Sequence, residues 1–393
     1  MQALLVCCCG MDIHRDVLEA CVLKGDSDNP EIIRKQFKTT QGELLQLVNW
    51  LNGHSCFHVA MESTGVYWRP VYEMIEKQYA ACQQLIVVNA RHMRTLPGRK
   101  TDVKDAEWIA TLLRHGLLEA SFVPERVIRT LREYSRTYKA EVQEKSRLLN
   151  RIEKFLQNHG FKLSSVLSNI VGVSGRKLLQ QLVEKGSISP EDIQKVISRR
   201  IKRSVEEIQA ATCGVLEEYE RKLLHHLIRK LDSCEESVGN LLIEMADLAA
   251  PYRSALETMD SIPGIDLISA LTILAEIGPN PTKNFKTAEH LSSWAGLAPR
   301  NDESAGKIKS KKIMHGNPYI KSILCQVAWA AIRSRHSALA RWFWSHQGKL
   351  GKKKAIIAVS RKILSLIYVL LQKGELYNPD YQPSSPRNSL VLG

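Results

Sequence analysis

Residues 3–16 have the sequence ALLVCCCGMDIHRD, in which a continuous apolar run leads into Gly10 and Asp12. Such a run is typical of a strand that is buried on both faces of a sheet. We therefore predict a strand over residues 3–9 that ends at Gly10. Asp12 would then project its carboxylate from the end of that strand.

The segments that follow predict an α/β domain over residues 1–125. Short apolar runs predict strands at residues 17–23, 32–37, 58–61 and 85–88, and helical spacing of apolar residues predicts helices at residues 41–51, 67–78 and 102–115. Since the strands first come as a group and then alternate with helices, we expect a mixed sheet flanked by helices.

Four carboxylates stand where these predicted elements begin or end. Asp12 follows the first strand, Glu62 follows the strand in VAMESTG, and KTDVKDAEWIA places Asp102 and Asp105 on one face at the start of a helix. Converging carboxylates repel each other unless divalent cations lie between them, and Mg²⁺ prefers oxygen ligands. This order of elements and acids resembles that of the ribonuclease-H and RuvC resolvase superfamily. The alternative is local structure, with Asp12 in a turn and Asp102 as a helix N-cap.

A basic loop, NARHMRTLPGRKTD, lies between the last predicted strand and the helix with the two aspartates. Its cations include Arg94, Arg99 and Lys100, which would contact phosphates beside the acidic residues. The alternative is a solvated basic loop with no ligand.

The middle of the chain, residues 126–250, carries two long amphipathic segments. Apolar residues recur at steps of three, four and seven between residues 124 and 159, and a second stripe runs from 205 to 248. This pattern predicts two long helices with a compact insert between them. They would form either an antiparallel coiled-coil arm or a packed helical bundle.

A mainly helical domain is predicted over residues 251–393, with loops at residues 278–284 and 299–318. The sequence SIPGIDLISALTILAEIG, which starts at Ser261, is close to the helix-hairpin-helix pattern. In that pattern a glycine turn and a helix N-terminus present N–H groups to a DNA phosphate, so Gly264 is a candidate DNA contact. The alternative is a plain helix that begins after a Pro-Gly turn.

Ser304 lies in the second of these predicted loops, in the sequence NDESAGKIKSKK. A serine in a basic, glycine-containing loop is able to attack a phosphodiester while nearby cations stabilise the added negative charge. The candidate cations are Lys307, Lys309, Lys311 and Lys312. Ser310 is the nearest rival nucleophile, and a simple turn is the alternative. Further on, the aromatic residues 342–344 would either stack on bases or pack in a core.

The charge of the chain favours a polyanionic partner. The 393 residues include 55 Lys and Arg against 41 Asp and Glu, a formal net charge of +14. Residues 300–362 contain 15 basic and two acidic residues, so this segment alone carries +13. Nucleic acid is the commonest partner of such a segment, and simple solubility is the alternative.

Other features restrict the class of protein. The nine cysteines lack the paired spacing of a zinc site. We find no signal-peptide pattern and no apolar run of about 18 residues, so we expect a cytoplasmic protein without a membrane partner.

Together these motifs resemble the IS110 family of bacterial insertion-sequence transposases. The resemblance extends from about residue 9 to 378 and rests on GMDIHRD, AMESTGVYW, VVNARHMRTLPGRKTDVKDAEWIATLL, SIPGIDLISALTILAEIG and GLAPRNDESAGKIKSKKIMHGNPYIK. It implies a RuvC-like domain with an acidic tetrad at Asp12, Glu62, Asp102 and Asp105. It also implies a transposase domain whose nucleophilic serine is Ser304. Many relatives have Gly directly after the serine, whereas this chain has Ala305.

The resemblance also implies a cofactor and partners. The tetrad would hold Mg²⁺, as a pair of ions or with Mn²⁺ as a substitute. The substrates would be double-stranded DNA at the element ends and at the target, selected by a bridge RNA from the element. The protein would act as a homo-oligomer, a dimer that assembles into a tetramer on DNA, in the bacterial cytoplasm at the nucleoid.

Three functions are compatible with the residues. The first is a DNA recombinase that exchanges strands through Ser304, and the second is a RuvC-like structure-specific nuclease that uses metal-activated water. The third is a nucleic-acid-binding protein without catalysis, whose acidic residues are structural. The serine module and the additional domains favour the recombinase.

Overall fold

The computed structural model of the chain describes residues 3–26, 29–63, 65–89, 105–196, 203–299, 302–304, 307–310, 313, 315–334 and 337–378. The chain divides into two compact units, Met1–Val123 and Pro124–Gly393. The predicted division into three domains at residues 125 and 250 stays a prediction.

A five-stranded mixed sheet forms the centre of the first unit, with strand order β3-β2-β1-β4-β5. Strands β1, β2 and β3 are antiparallel, whereas β4 and β5 continue from β1 in parallel. The elements are β1 (Cys7–Ile13), β2 (Val17–Lys24), β3 (Glu31–Lys38), α1 (Gln41–Gly53), β4 (His58–Glu62), α2 (Trp68–Gln78), β5 (Gln84–Val88) and α3 (Asp105–Arg114). The predicted mixed sheet with flanking helices is confirmed, and it is compatible with a nuclease-type α/β domain.

The central strand β1 is buried on both faces. Cys9, Met11 and Ile13 belong to the core that includes α1 and α2. Cys8 instead belongs to the core on the opposite face, which includes α3. Because side chains alternate along a strand, consecutive apolar residues fill both cores.

The bounds of β1 differ from the prediction. The strand begins at Cys7 and runs through Gly10 and Asp12 to Ile13, whereas we predicted residues 3–9. Leu4 and Val6 are 71% and 74% exposed. The apolar run therefore begins before the buried strand, so its continuity alone misplaces the strand.

Helices make up most of the described part of the second unit. They are α4 (Arg126–Asn158), α5 (Leu163–Val166), α6 (Val173–Lys185), α7 (Pro190–Val196), α8 (Val205–Ala211), α9 (Glu218–Ala249), α10 (Arg253–Asp260), α11 (Leu267–Ile277), α12 (Ala288–Trp294), α13 (Pro318–Ala331), α14 (Ala338–Leu350) and α15 (Lys352–Lys373). Single 3₁₀ turns lie at Ala250–Tyr252 and Pro281–Lys283.

The two long helices α4 and α9 pack along each other in antiparallel directions. Lys145 Nζ lies 2.9 Å from Glu235 Oε1, and His159 Nε2 lies 3.1 Å from Glu220 Oε1. Later positions on α4 thus meet earlier positions on α9. Helices α5 to α8 share one core with the adjoining ends of this pair. Two long helices in antiparallel packing are as predicted, and their description as a coiled coil stays a proposal.

The segment predicted as one helix over residues 205–248 is two helices, α8 and α9. Each begins with a capping box, in which an N-cap side chain and the side chain three residues later bond to each other's backbone N–H. The first box pairs Ser204 with Glu207 and the second pairs Glu217 with Glu220. These two helix starts divide the predicted stripe, so the prediction of one continuous helix was wrong.

Among the described residues, one helix is long and apolar enough to cross a membrane by length and composition. This helix is α15. Its apolar residues do not form the continuous run that was sought in the sequence, because Arg361 and Lys362 interrupt them. A core helix passes the same test, and Val359, Ile363 and Ile367 of α15 are buried.

Candidate active site

Two carboxylates predicted to be catalytic lie on neighbouring parallel strands. Met11 of β1 is in register with Met61 of β4, so Asp12 and Glu62 occupy the next matching positions. Side chains alternate along strands, and Ala60 belongs to the core that includes α3. The side chains of Asp12 and Glu62 therefore lie on the face of the sheet that α3 covers. We call this the acidic face.

Helix α3 approaches the acidic face closely, and its first residue is Asp105. The close approach depends on Gly10. A Cβ atom at Gly10 would lie 2.2 Å from the backbone O of Ala106 and 2.3 Å from the backbone N of Ala110. Only a residue without a side chain fits between β1 and α3. Gly10 thus brings the first turn of α3 against the strand that carries Asp12.

The electrostatics of Asp12 reflect this packing. Its side chain is 14% exposed, and Asp12 Oδ2 lies 3.2 Å from His14 Nε2. Burial raises the pKa of the Asp12 carboxyl, the nearby Asp105 carboxylate raises it further, and His14 opposes both effects. Asp12 and Asp105 are therefore close enough for their charges to interact.

Two residues on or beside this face were missed by the sequence reasoning. Glu19 of β2 is in register with Asp12, and its Oε1 accepts a hydrogen bond of 2.6 Å from Gln36 Nε2. Glu19 has the same parity along β2 as Cys21, which belongs to the core with α3. That parity was visible in the sequence. His14 belongs to the motif GMDIHRD, but its contact with Asp12 depends on the path of the chain after β1.

Asp12, Glu62 and Asp105 are only part of the predicted metal site. Among the residues that the structure describes, no group of three or more His, Cys, Asp or Glu is placed to hold a metal ion. Asp102 and the basic-loop residues Arg94, Arg99 and Lys100 lie outside the described residues. The structure places Asp12, Glu62 and Asp105 at one face of the sheet. The complete tetrad stays a prediction.

The segment predicted as a loop around Ser304 is a β-hairpin. Strand β6 (Asp302–Ser304) pairs with β7 (Lys307–Ser310), and Pro299 pairs with Ile313 beyond them. We call the described residues of this segment, Pro299, 302–304, 307–310 and Ile313, the serine hairpin. Ser304 pairs with Lys307 next to the turn, whereas the rival Ser310 pairs with Asp302 further from it.

Of the four predicted cations, Lys307 and Lys309 belong to β7. The other two, Lys311 and Lys312, lie outside the described residues.

Gly264 forms the turn between α10 and α11, with a φ of +90°. A Cβ atom there would lie 2.5 Å from the backbone N of Ala331 and 2.7 Å from the backbone O of Val327, both in α13. Packing of the turn against α13 thus explains this glycine without a ligand. Its contact with DNA stays a prediction.

The aromatic residues 342–344 divide between core and surface. Phe343 is buried, whereas Trp344 is 53% exposed. The ring of Trp342 stacks on that of His346 with centroids 4.3 Å apart, and Lys362 Nζ lies 5.0 Å from the Trp342 ring centroid. Core packing is therefore correct for Phe343, and the two tryptophans stay candidates for stacking on bases.

Comparison with known proteins identifies the family of both parts of the chain. The model of the IS110 DEDD transposases matches residues 9–160, and the model described as the transposase IS116/IS110/IS902 family matches residues 256–344. The first match contains the acidic face and the second contains the serine hairpin. The chain belongs to the IS110 family of transposases.

Individual relatives agree with this assignment. Over 161 residues, 40% of this chain, it is 26% identical to the transposase for insertion sequence element IS1111A of Coxiella burnetii. Over 131 residues, 32% of the chain, it is 30% identical to the pilin gene-inverting protein of Moraxella lacunata. A probable family 20 transposase of Pseudomonas aeruginosa is 26% identical over 166 residues, 40% of the chain. The chain spans 43%, 39% and 47% of the length of these three proteins.

Proposed function

We propose that this IS110-family protein is a DNA recombinase that excises and inserts an insertion sequence. The observation that carries the proposal is the presence of both family modules in one chain, an acidic face with Asp12 and Glu62 and a hairpin with Ser304 beside its turn. A relative named for inverting a pilin gene supports DNA rearrangement as the type of reaction.

In this proposal Ser304 is the nucleophile. Its Oγ attacks a DNA phosphorus, and the bond from that phosphorus to one deoxyribose oxygen breaks. The proton of the serine hydroxyl is transferred to the departing oxygen. The protein–DNA phosphodiester keeps the energy of the broken bond. A hydroxyl of a second DNA end then attacks the same phosphorus and releases the serine. Strands are thus exchanged without any other energy source.

The acidic face would hold the divalent metal. Asp12, Glu62, Asp102 and Asp105 are the proposed Mg²⁺ ligands. Burial, and secondly the Asp105 carboxylate, raise the pKa of the Asp12 carboxyl, and a bound cation would stabilise its ionised form. Metal ions bound there would supply positive charge to a phosphodiester and its leaving oxygen. His14 would orient Asp12 through its 3.2 Å contact.

The partners follow from the charge distribution and the family. The segment 300–362 has a net charge of +13, which suits phosphate contacts with double-stranded DNA and with a bridge RNA. The phosphate contacts proposed are Arg94, Arg99 and Lys100 of the basic loop, Lys307, Lys309, Lys311 and Lys312 of the segment that contains Ser304, and Gly264 of the turn between α10 and α11. We propose a homo-oligomer that assembles on DNA at the bacterial nucleoid.

Strand exchange between labelled element ends and target DNA tests this proposal. The assay would include Mg²⁺ and the RNA that flanks the gene, and it would compare the wild type with Asp12→Asn, Ser304→Ala and Ser310→Ala. We expect joined products from the wild type and from Ser310→Ala, and a loss of at least about a hundredfold in the other two variants.

Two other outcomes would replace the proposal. Cleavage without joining that persists in Ser304→Ala would indicate a RuvC-like nuclease that uses metal-activated water. Salt-dependent binding without cleavage by any form of the protein would indicate a nucleic-acid-binding protein with structural acids.

A further inference from the structure

Glu276 is a fully buried carboxylate that the proposed chemistry does not use. It lies in the last turn of α11, and its side chain has 0% exposure. A buried carboxylate is costly unless it is paired and hydrogen-bonded, so its partners show what it does.

Two arginines of α4, one turn apart, bind the end of α11 that carries Glu276. Arg136 donates from Nε to Glu276 Oε1 at 3.0 Å and from Nη2 to Oε2 at 3.1 Å, which makes a bidentate ion pair. Arg132 donates to the backbone oxygens of Ala275 and Glu276 at 3.0 and 2.7 Å. These carbonyls belong to the last turn of α11, where helix geometry leaves them without partners in the helix. Helix α4 and the end of α11 are therefore joined firmly.

The third partner of Glu276 is Asn317, which follows the serine hairpin. Asn317 Nδ2 donates to Glu276 Oε2 at 2.6 Å, while its Oδ1 accepts from the backbone N–H groups of Tyr319 and Ile320 at 2.9 and 3.3 Å. Asn317 is thus the N-cap of α13 and at the same time a ligand of the buried carboxylate. The first turn of α13 has a further contact with α4, since the Arg136 guanidinium carbon lies 4.1 Å from the centroid of the Tyr319 ring.

Backbone contacts also hold the base of the serine hairpin in place. Pro299 pairs with Ile313, and the Asn317 N–H donates to the oxygen of Trp294 at 3.2 Å. A Cβ atom at Gly316 would lie 2.2 Å from the backbone N of Gly296, so the two chain segments at the base are in direct contact. The base of the serine hairpin therefore adjoins the cluster formed by Glu276, Arg136 and Asn317.

We propose that the Glu276–Arg136–Asn317 cluster holds the base of the serine hairpin rigid and so fixes the location of Ser304. This inference rests on the proposed role of Ser304 as nucleophile. The cluster does not touch the reacting atoms. It acts through the hairpin, because a displacement of about 1 Å at a reacting group lowers the rate by up to about a hundredfold.

The variant Asn317→Asp tests the cluster with little other change. Aspartate is an equally good N-cap, so the bonds to Tyr319 and Ile320 remain, but an oxygen replaces the nitrogen that donates to Glu276. Two carboxylate oxygens would then face each other. The matched control is Ser337→Ala. Ser337 is the N-cap of α14, and its Oγ accepts a hydrogen bond from Ala340 N at 3.1 Å. Arg136→Lys is a milder second variant, since lysine keeps the charge but loses the bidentate geometry.

Two measurements separate this inference from the proposed function. Hydrogen exchange of the full chain without DNA reports on the hairpin directly, and we expect exchange over residues 299–317 to become about tenfold faster in Asn317→Asp and less so in Arg136→Lys. The rate of joining Ser304 to element-end DNA at saturating DNA should fall about tenfold to a hundredfold, with DNA affinity unchanged. Ser337→Ala should show neither change.

Unchanged exchange over residues 299–317 in both Asn317→Asp and Arg136→Lys would overturn the inference. Faster exchange with an unchanged joining rate would also overturn it, because the hairpin would then move without consequence. If the wild type joins no DNA at all, the proposed function fails, and the exchange experiment still decides whether the cluster holds the hairpin.

Discussion

Replacing Gly10 with alanine tests how closely α3 approaches the sheet. The added Cβ would lie 2.2 Å from Ala106 O and 2.3 Å from Ala110 N, whereas ordinary contacts begin at 3.4 Å. Helix α3 must therefore withdraw by about 1 Å or more, since close-packed cores leave no other space. Both contacted atoms belong to the backbone, so shortening the neighbouring side chains would not relieve the clash.

The withdrawal has two measurable effects. We expect Gly10→Ala to lower the free energy of unfolding by about 1–3 kcal/mol, the usual cost of overpacking a core. It should also move Asp105 away from Asp12 and lower the rate of DNA cleavage by up to about a hundredfold, with DNA affinity retained. Urea denaturation followed by circular dichroism gives the first value, and single-turnover cleavage at saturating DNA gives the second.

Gly42→Ala is the matched control for this substitution. Gly42 lies in α1 of the same unit, and a Cβ atom there would meet nothing within 4 Å. Alanine should stabilise that helix by about 0.5–1 kcal/mol. If Gly10→Ala were as stable and as active as Gly42→Ala, the contact between β1 and α3 would be wrong, and so would the acidic face built on it.

Two further predictions concern the carboxylates and the lysines. Because the folded-state pKa of Asp12 is raised, its ionised form destabilises the first unit above that pKa, so Asp12→Asn should raise the free energy of unfolding at neutral pH. This gain should vanish in urea titrations at pH values below the ordinary carboxyl pKa, and a gain that persists there would exclude ionisation as the cause. Exposed Lys352, Lys353 and Lys354 at the start of α15 should bind phosphates. Replacing these lysines with glutamine should make DNA affinity less dependent on salt. The slope of log affinity against log salt concentration should become shallower by roughly 0.9 for each phosphate that a lysine neutralises in the wild type. An unchanged slope would contradict this prediction.

The sequence predicts the acidic face better than the bounds of the elements that build it. The order of Asp12, Glu62 and Asp105 along the chain predicts that they converge, because ends of neighbouring strands and the start of a covering helix meet, and the structure has Asp12 and Glu62 on neighbouring strands. The start of β1 was misplaced, since Leu4 and Val6 are apolar yet exposed. Hydrophobicity alone does not distinguish a buried strand from the segment that leads into it.

Other features were hidden by weak local signals. The second capping box begins with Glu217 rather than with serine or threonine, so the start of α9 was not recognised. Strands β6 and β7 are short and charged, unlike the apolar runs that predict strands. The pairing of Glu276 with Arg136 joins residues 140 positions apart, and no local pattern predicts such a contact.

A denaturing gel that detects protein joined covalently to labelled element-end DNA tests the central claim most directly. The wild type, Ser304→Ala and Ser310→Ala would be compared in Mg²⁺ with the flanking RNA present. Strand exchange through serine predicts a labelled protein–DNA band in the wild type and in Ser310→Ala, and its loss in Ser304→Ala. Cleaved DNA ends without any such band, in equal amounts with Ser304→Ala, would contradict the claim and indicate hydrolysis by metal-activated water.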